Sequence, residues 1–126
     1  MVEVKRHRQS KEHIEQVKFV GYIKLFHPKY LIWSIPNGSA VSAAQRIKLA
    51  KEGMLAGMPD LMVLSPTGRL MGIEMKRPKG VGVGKGVASK AQEWVKERLI
   101  GVGISCPTCF SFEEAREAFD AFALGE

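Results

Sequence analysis

Only two cysteines occur among the 126 residues, too few for a disulfide framework, so the sequence predicts a fold held by an apolar core in a reducing cytoplasm. No window approaches the ~18 uninterrupted apolar residues of a membrane span. The basic start MVEVKRHRQSKEH is not followed by an apolar segment, so neither a span nor a secretory leader is expected. Proline is sparse at 6, and the 13 glycines follow no collagen-like period. With 45% hydrophobic and 25% charged residues, the composition excludes fibrous, mucin-like and wholly disordered chains. The length suits one domain over 1–126, with residues 1–9 expected as a flexible basic N-terminus.

Acid is scarce until the end of the chain. Residues 1 to 105 carry 18 Lys and Arg against 8 Asp and Glu, a balance of +10, whereas the last 21 carry 1 against 5, a balance of −4. A basic body with an acidic end points to a polyanionic partner, nucleic acid first, because clustered positive charge concentrates polyphosphate by long-range attraction. A basic surface that only aids solubility explains the same charge equally well.

From Ser10 the pattern is helical, with Ile14, Val17, Val20 or Gly21, and Lys24 spaced for one face, until His27-Pro28 stops it. Tyr30 to Ile35 (YLIWSI) is a short strand before the Pro36-Asn37-Gly38 turn. Ser42 to Met54 reads as a helix with Ala44, Ile47 and Ala50 or Lys51 along one side. Leu61 to Leu64 and Arg69 to Met75 flank Ser65-Pro66-Thr67-Gly68, which suits a three-residue hairpin loop with glycine at its left-handed position. Glycine-rich 79–88 reads as a mobile loop, and Ser89 then caps a helix to about Gly101 with Ala91, Val95 and Leu99 facing the core. Val102 to Cys106 is a candidate strand. Ser111 with Glu114 forms a capping box for a last helix that buries Ala115, Phe119 and Phe122. The order α β α β β α β α predicts an α/β fold, a mixed sheet flanked by helices.

The hairpin loop fixes a register: Leu64 opposite Leu70, Met62 opposite Gly72, hence Asp60 opposite Glu74. Alternation then projects Asp60, Glu74 and Lys76 from one sheet face, and Leu61, Val63, Met71, Ile73 and Met75 from the other. Opposed carboxylates destabilise a sheet unless compensated. Hard oxygen ligands without local His or Cys suit Mg²⁺ or Mn²⁺ rather than Zn²⁺, and an adjacent lysine can orient water or stabilise charge on a phosphoryl group. An ion-paired patch in which Lys76 merely neutralises the acids is the plain alternative.

GMPDL at 57 to 61 followed by GIEMKRP at 72 to 78 resembles the PD-(D/E)xK nuclease superfamily, a restriction-endonuclease-like core, and its VRR-NUC branch in particular. SKEHIEQVKFVGYI, SIPNGS, KEGMLAGMPDL, SKAQEW and a closing acidic helix extend the similarity over roughly residues 10 to 124. The resemblance implies that Asp60 and Glu74 bind a divalent ion, with the Met75 backbone carbonyl completing its shell and Lys76 assisting the nucleophile. A glutamate from the first helix is also implied; Glu12 aligns best and Glu15 is the alternative. Gln92 matches a polar residue presented by the helix after the catalytic strand. For DNA the resemblance and the charge point to Arg77, Lys79, Lys85 and Lys90, with Asn37 in the IPNGS turn; Arg6, Arg8, Arg46 and Lys48 would extend the basic track.

The implied activity is Mg²⁺-dependent hydrolysis of DNA phosphodiesters, with Mn²⁺ substituting. Small relatives are associated with branched DNA, and paired nicks at a four-way (Holliday) junction require a homodimer with two sites about a twofold axis. Such free-standing domains look like phage products acting in a bacterial cytoplasm. The alternatives are a DNA-binding module without catalysis or without selectivity for DNA structure and, remotely, a thiol oxidoreductase using Cys106 and Cys109. The loop GVGVGKG fails as a phosphate-binding motif, since Gly86 stands where Ser or Thr is needed.

Overall fold

The computed structural model describes residues 11–36, 41–77 and 89–126. Four helices and four strands alternate as α1 (Lys11–Phe26), β1 (Leu31–Ser34), α2 (Ala43–Lys51), β2 (Leu61–Leu64), β3 (Leu70–Met75), α3 (Lys90–Gly101), β4 (Thr108–Cys109) and α4 (Phe112–Ala123). The element order is the one the sequence predicts. The sheet runs β1-β2-β3-β4, antiparallel except for the parallel β3–β4 pair.

The β2–β3 hairpin follows from its turn. Gly68 takes φ 91°, Ser65 N–H donates to the Arg69 carbonyl at 2.8 Å, and the Ser65 hydroxyl accepts from Arg69 N–H at 2.9 Å. Pairing is Leu64 with Leu70, Val63 with Met71, Met62 with Gly72 and Leu61 with Ile73, as the loop length requires. One face therefore carries Leu61, Val63, Met71, Ile73 and Met75 into the core, where Phe19 and Ile23 of α1 and Ala115, Phe119 and Phe122 of α4 cover them. Phe119 is the hub, edge-on to Phe19, His27 and Tyr30 with ring centroids 4.8–6.3 Å apart. The opposite face carries Met62, Gly72, which lies against Pro59 and Cys106, and Glu74, which meets Gln92 of α3.

Four local expectations are corrected. Helix α1 buries Phe19 and Ile23, whereas Ile14 and Val17 are exposed: its apolar residues surround the helix, and the aromatic cluster of α4 selects which side docks. Helix α2 buries nothing, and Ile47 is exposed, so the stripe Ala44, Ile47 and Ala50 has no partner among the described residues. In α3 only Val95 is buried; Leu99 is half-buried and Ala91 exposed. The final strand is Thr108–Cys109 rather than 102–106. Gly103 turns at φ 85°, only Ser105 bridges to Met71, and Pro107 lacks the N–H needed to continue the ladder while its carbonyl accepts from Glu74 N–H at 3.0 Å. At α4 the Ser111 hydroxyl accepts from Glu114 N–H at 3.1 Å, which is half of the expected capping box.

Gly57 lets the segment before Asp60 lie against the start of α3. A Cβ there would stand 2.4 Å from the Ala91 carbonyl carbon and oxygen and 2.8 Å from Gln92 N, at φ 91°. Gly57→Ala is therefore expected to cost about 3 kcal/mol or more through strain and overpacking. Gly53→Ala, at φ 109° but with open space around the new methyl, should cost only about 1–2 kcal/mol for its left-handed backbone. Urea unfolding of both variants measures the difference; equal losses would remove the close-approach argument.

Candidate functional site

Asp60 immediately precedes β2, and its carbonyl accepts from Ile35 N–H at 2.9 Å, which ties it to the end of β1. Its side chain reaches across the hairpin, where Oδ2 accepts from Met75 N–H at 2.7 Å. The Met75 carbonyl points to the same side of β3 as its N–H, because both groups of one strand residue face the same neighbour. Glu74, 6% exposed, projects from the face toward α3. Burial first, then the Asp60 charge and a hydrogen bond shared with Asp60, push its carboxyl up to about 8, against the opposing pull of Lys76. The two acids thus converge as the register requires.

Lys76 follows β3, anchored by its N–H to the Cys109 carbonyl at 2.9 Å. Its ammonium lies 3.7 Å from Glu74 Oε1 and donates to Gln92 Oε1 at 3.0 Å. Gln92 Nε2 in turn donates to Glu74 Oε1 at 2.9 Å. A helix cap builds this arrangement: Ser89 accepts from Gln92 N–H, and Gln92 Oε1 accepts from Ser89 N–H at 3.0 Å. The capping box holds the Gln92 carboxamide in the one orientation that also joins Glu74 to Lys76. The sequence marks Ser89 as a cap and Gln92 as a site residue; the structure makes them one device.

The other expected residues divide into three groups. Glu15 is engaged elsewhere, with Oε1 accepting from Phe112 N–H at 3.3 Å and Oε2 3.1 Å from Lys18 Nζ, so it ties α1 to α4. Glu12 lies in the first turn of α1, and among the described residues no third His, Cys, Asp or Glu completes a group of three for a metal; neither glutamate joins the pair. Arg77 and Lys90 are exposed at the end of β3 and the start of α3, flanking Lys76 and Gln92 in sequence, and Arg46 and Lys48 are exposed on α2. Asn37, Lys79, Lys85, Arg6, Arg8 and the glycine-rich loop lie outside the described residues.

Two neighbours went unread in the sequence, Lys96 and Thr108. Lys96 Nζ donates to Thr108 Oγ1 at 3.2 Å, beside Glu74. The signal for Lys96 is its place one helical turn after Gln92; Thr108 has none, since hydropathy points to a strand at 102–106 and not at Thr108–Cys109.

Thiol chemistry finds no support here. Cys106 and Cys109 are free and buried; burial raises the Cys106 thiol and pushes Cys109 up to about 11, the reverse of a reactive thiolate.

A divalent ion suits the donor set. Two carboxylates and a strand-end carbonyl are hard oxygen donors, and Mg²⁺ binds through one or two carboxylates while keeping several waters. Burial first and the Asp60 charge second raise the Glu74 carboxyl, and a bound cation would pull it down again by favouring the ionised form.

No family model and no curated protein matches the sequence. Solved structures do match the fold. A chain described as "VRR_NUC domain protein" superposes with a TM-score of 0.67 at 18% identity, over 90% of this chain and 88% of that one. Another, described as "VRR_NUC domain", gives 0.62 at 19% identity over 89% and 97%. The fold is that of VRR_NUC domains, and among the described residues no helix is long and apolar enough to cross a membrane.

Proposed function

We propose that this chain, built on the fold of VRR_NUC domains, is a divalent-metal-dependent DNA endonuclease. The observation that carries the reading is the convergence of Asp60 and Glu74 across the hairpin, with Lys76 and Gln92 hydrogen-bonded into the same cluster. In this reading Asp60, Glu74 and the Met75 carbonyl hold Mg²⁺, for which Mn²⁺ substitutes. When bound, the ion supplies activation of water and stabilisation of charge developing on the phosphoryl oxygens.

The chain's own residues do the rest. Gln92 orients Glu74 by donating to Oε1 and holds the Lys76 ammonium through its own carbonyl oxygen. Lys76 directs a positive donor at the incoming water and the scissile phosphate. Water oxygen bonds to phosphorus in line with departure of the sugar oxygen, which leaves with a proton. Arg77 and Lys90, exposed beside the cluster, neutralise neighbouring phosphates.

The finer reading is resolution of four-way junctions by a homodimer, acting in the cytoplasm. The α1–β1 edge supports the homodimer part of this reading. Strand β1 ends the sheet with Leu31 and Trp33 exposed, beside a groove of about 260 Å³ between Val17, Val20, Ile32 and Trp33, a surface suited to a twofold copy.

Cleavage of matched linear, flap and four-way substrates with Mg²⁺ or EDTA tests both levels. We expect cutting only with the metal and fastest on the four-way substrate. Equal cutting of all three removes junction selectivity; no cutting of any, with binding retained, makes the chain a DNA-binding module instead.

A further inference from the structure

The chain builds the same helix cap twice, and the second copy reaches the candidate site. At the start of α2 the Ser42 hydroxyl accepts from Gln45 N–H at 3.2 Å, and Gln45 Oε1 accepts from Ser42 N–H at 3.1 Å. Ser89 and Gln92 open α3 with the same two bonds, at 3.2 and 3.0 Å. The cap backbones agree, with φ −65° and ψ 162° at Ser42 and φ −72° and ψ 163° at Ser89. Gln45 is exposed, and among the described residues its side chain bonds to its own cap only. Gln92 is half-buried and carries two bonds more: Oε1 accepts from Lys76 Nζ at 3.0 Å, and Nε2 donates to Glu74 Oε1 at 2.9 Å.

The two donors on Oε1 settle which end of the carboxamide meets the acid. A backbone N–H and an ammonium have no acceptor to offer, so an amide turned end for end would face both with its own N–H groups and present its oxygen to Glu74. The cap therefore selects a donor for that carboxyl. A glutamine side chain also surrenders much rotamer freedom when held in one pose, and at α3 that freedom is already given up to the helix start. The hydroxyl and the N–H of Ser89 act together, because the bond to Gln92 N–H holds residue 89 in the conformation from which its own N–H reaches Oε1.

We propose that Ser89 is a positioning residue that acts through Gln92, presetting the carboxamide so that Glu74 and Lys76 are held in the geometry that receives the divalent ion. The inference rests on the reading of Asp60 and Glu74 as metal ligands and adds a residue that organises them from the start of α3.

Calorimetric titration of the full chain with Mn²⁺, read beside Tm, tests it without recourse to activity. Glycine is nearly as good an N-cap as serine for helix stability but has no hydroxyl, so Ser89→Gly should stay within about 2 °C of the parental Tm. It should nevertheless bind Mn²⁺ about tenfold more weakly, the lower end of the loss when a group that orients a metal ligand is removed. Ser89→Thr returns a hydroxyl and should return the affinity. Ser111→Ala removes the cap of α4, a helix packed in the core; it should lower Tm and leave Mn²⁺ affinity unchanged. Parental affinity in Ser89→Gly, or an equal loss of affinity in Ser111→Ala, overturns the role of Ser89 and leaves the metal site standing. No binding by the folded parental protein overturns the metal reading and the inference with it. If Ser89→Gly does not fold, Ser89→Ala is compared with Ser111→Ala by the same criterion.

Discussion

Replacing Lys76 with alanine lowers Mg²⁺-dependent cleavage by about 10²- to 10³-fold, the loss typical of one preorganised donor to developing charge. The expectation rests on placement. The Lys76 side chain is 13% exposed, held by a strand-end backbone bond and by Gln92 Oε1, so little reorganisation is needed to present its charge. The same substitution removes the one nearby cation that pulls the Glu74 carboxyl down, so part of the loss should be recovered at higher pH or higher Mg²⁺, where Glu74 is again ionised. Single-turnover cleavage at saturating Mg²⁺, across pH 6 to 9, separates the two contributions. Cleavage by the alanine variant at the parental rate would falsify the assignment of Lys76, whereas unchanged DNA affinity alone would say nothing about it.

In EDTA the protein should lose stability as pH rises from about 5 to about 8, and Mg²⁺ should restore it. The sign follows from Glu74. Its carboxyl sits at about 8 in the folded protein against an ordinary 4.5, so the folded state binds the extra proton throughout that interval. The resulting stability is fully present below 4.5 and is gone above about 8. Its size is about 2–5 kcal/mol, or roughly 10 °C in Tm for a domain of this length. A cation reverses the slope because it binds the ionised pair. Glu74→Gln keeps the shape without the titration, so its Tm should be nearly flat over the same range and indifferent to Mg²⁺. Thermal melts of both proteins at pH 5, 6.5 and 8.5 with EDTA or Mg²⁺ make the comparison; parallel curves would show that Glu74 is not the group responsible.

Both expectations turn on a cluster whose greater part is legible in the amino-acid sequence. The length of a three-residue hairpin loop places Asp60, Glu74 and Lys76 on one face, a short-range constraint with few solutions. Gln92 was readable through the resemblance of SKAQEW, and its cap through Ser89 three residues earlier. Lys96 and Thr108 were not readable. The first looked like any exposed helix lysine, and the second depended on a two-residue strand that Pro107 displaced from where hydropathy put it. The docked side of α1 is not legible for a similar reason. Apolar residues at 14, 17, 19, 20 and 23 allow several stripes, and only the aromatic cluster around Phe119 chooses Phe19 and Ile23.

By itself the sequence determined what depends on neighbours a few residues away: the element order, the hairpin register, the helix caps and hence the meeting of the two acids with Lys76. Tertiary structure alone decided which helix faces are covered, that α2 buries none of its residues, that Glu15 ties α1 to α4, and that Lys96 meets Thr108. These choices arise between segments far apart along the chain. Their energies come from packing and burial across elements, which no local pattern of residues encodes.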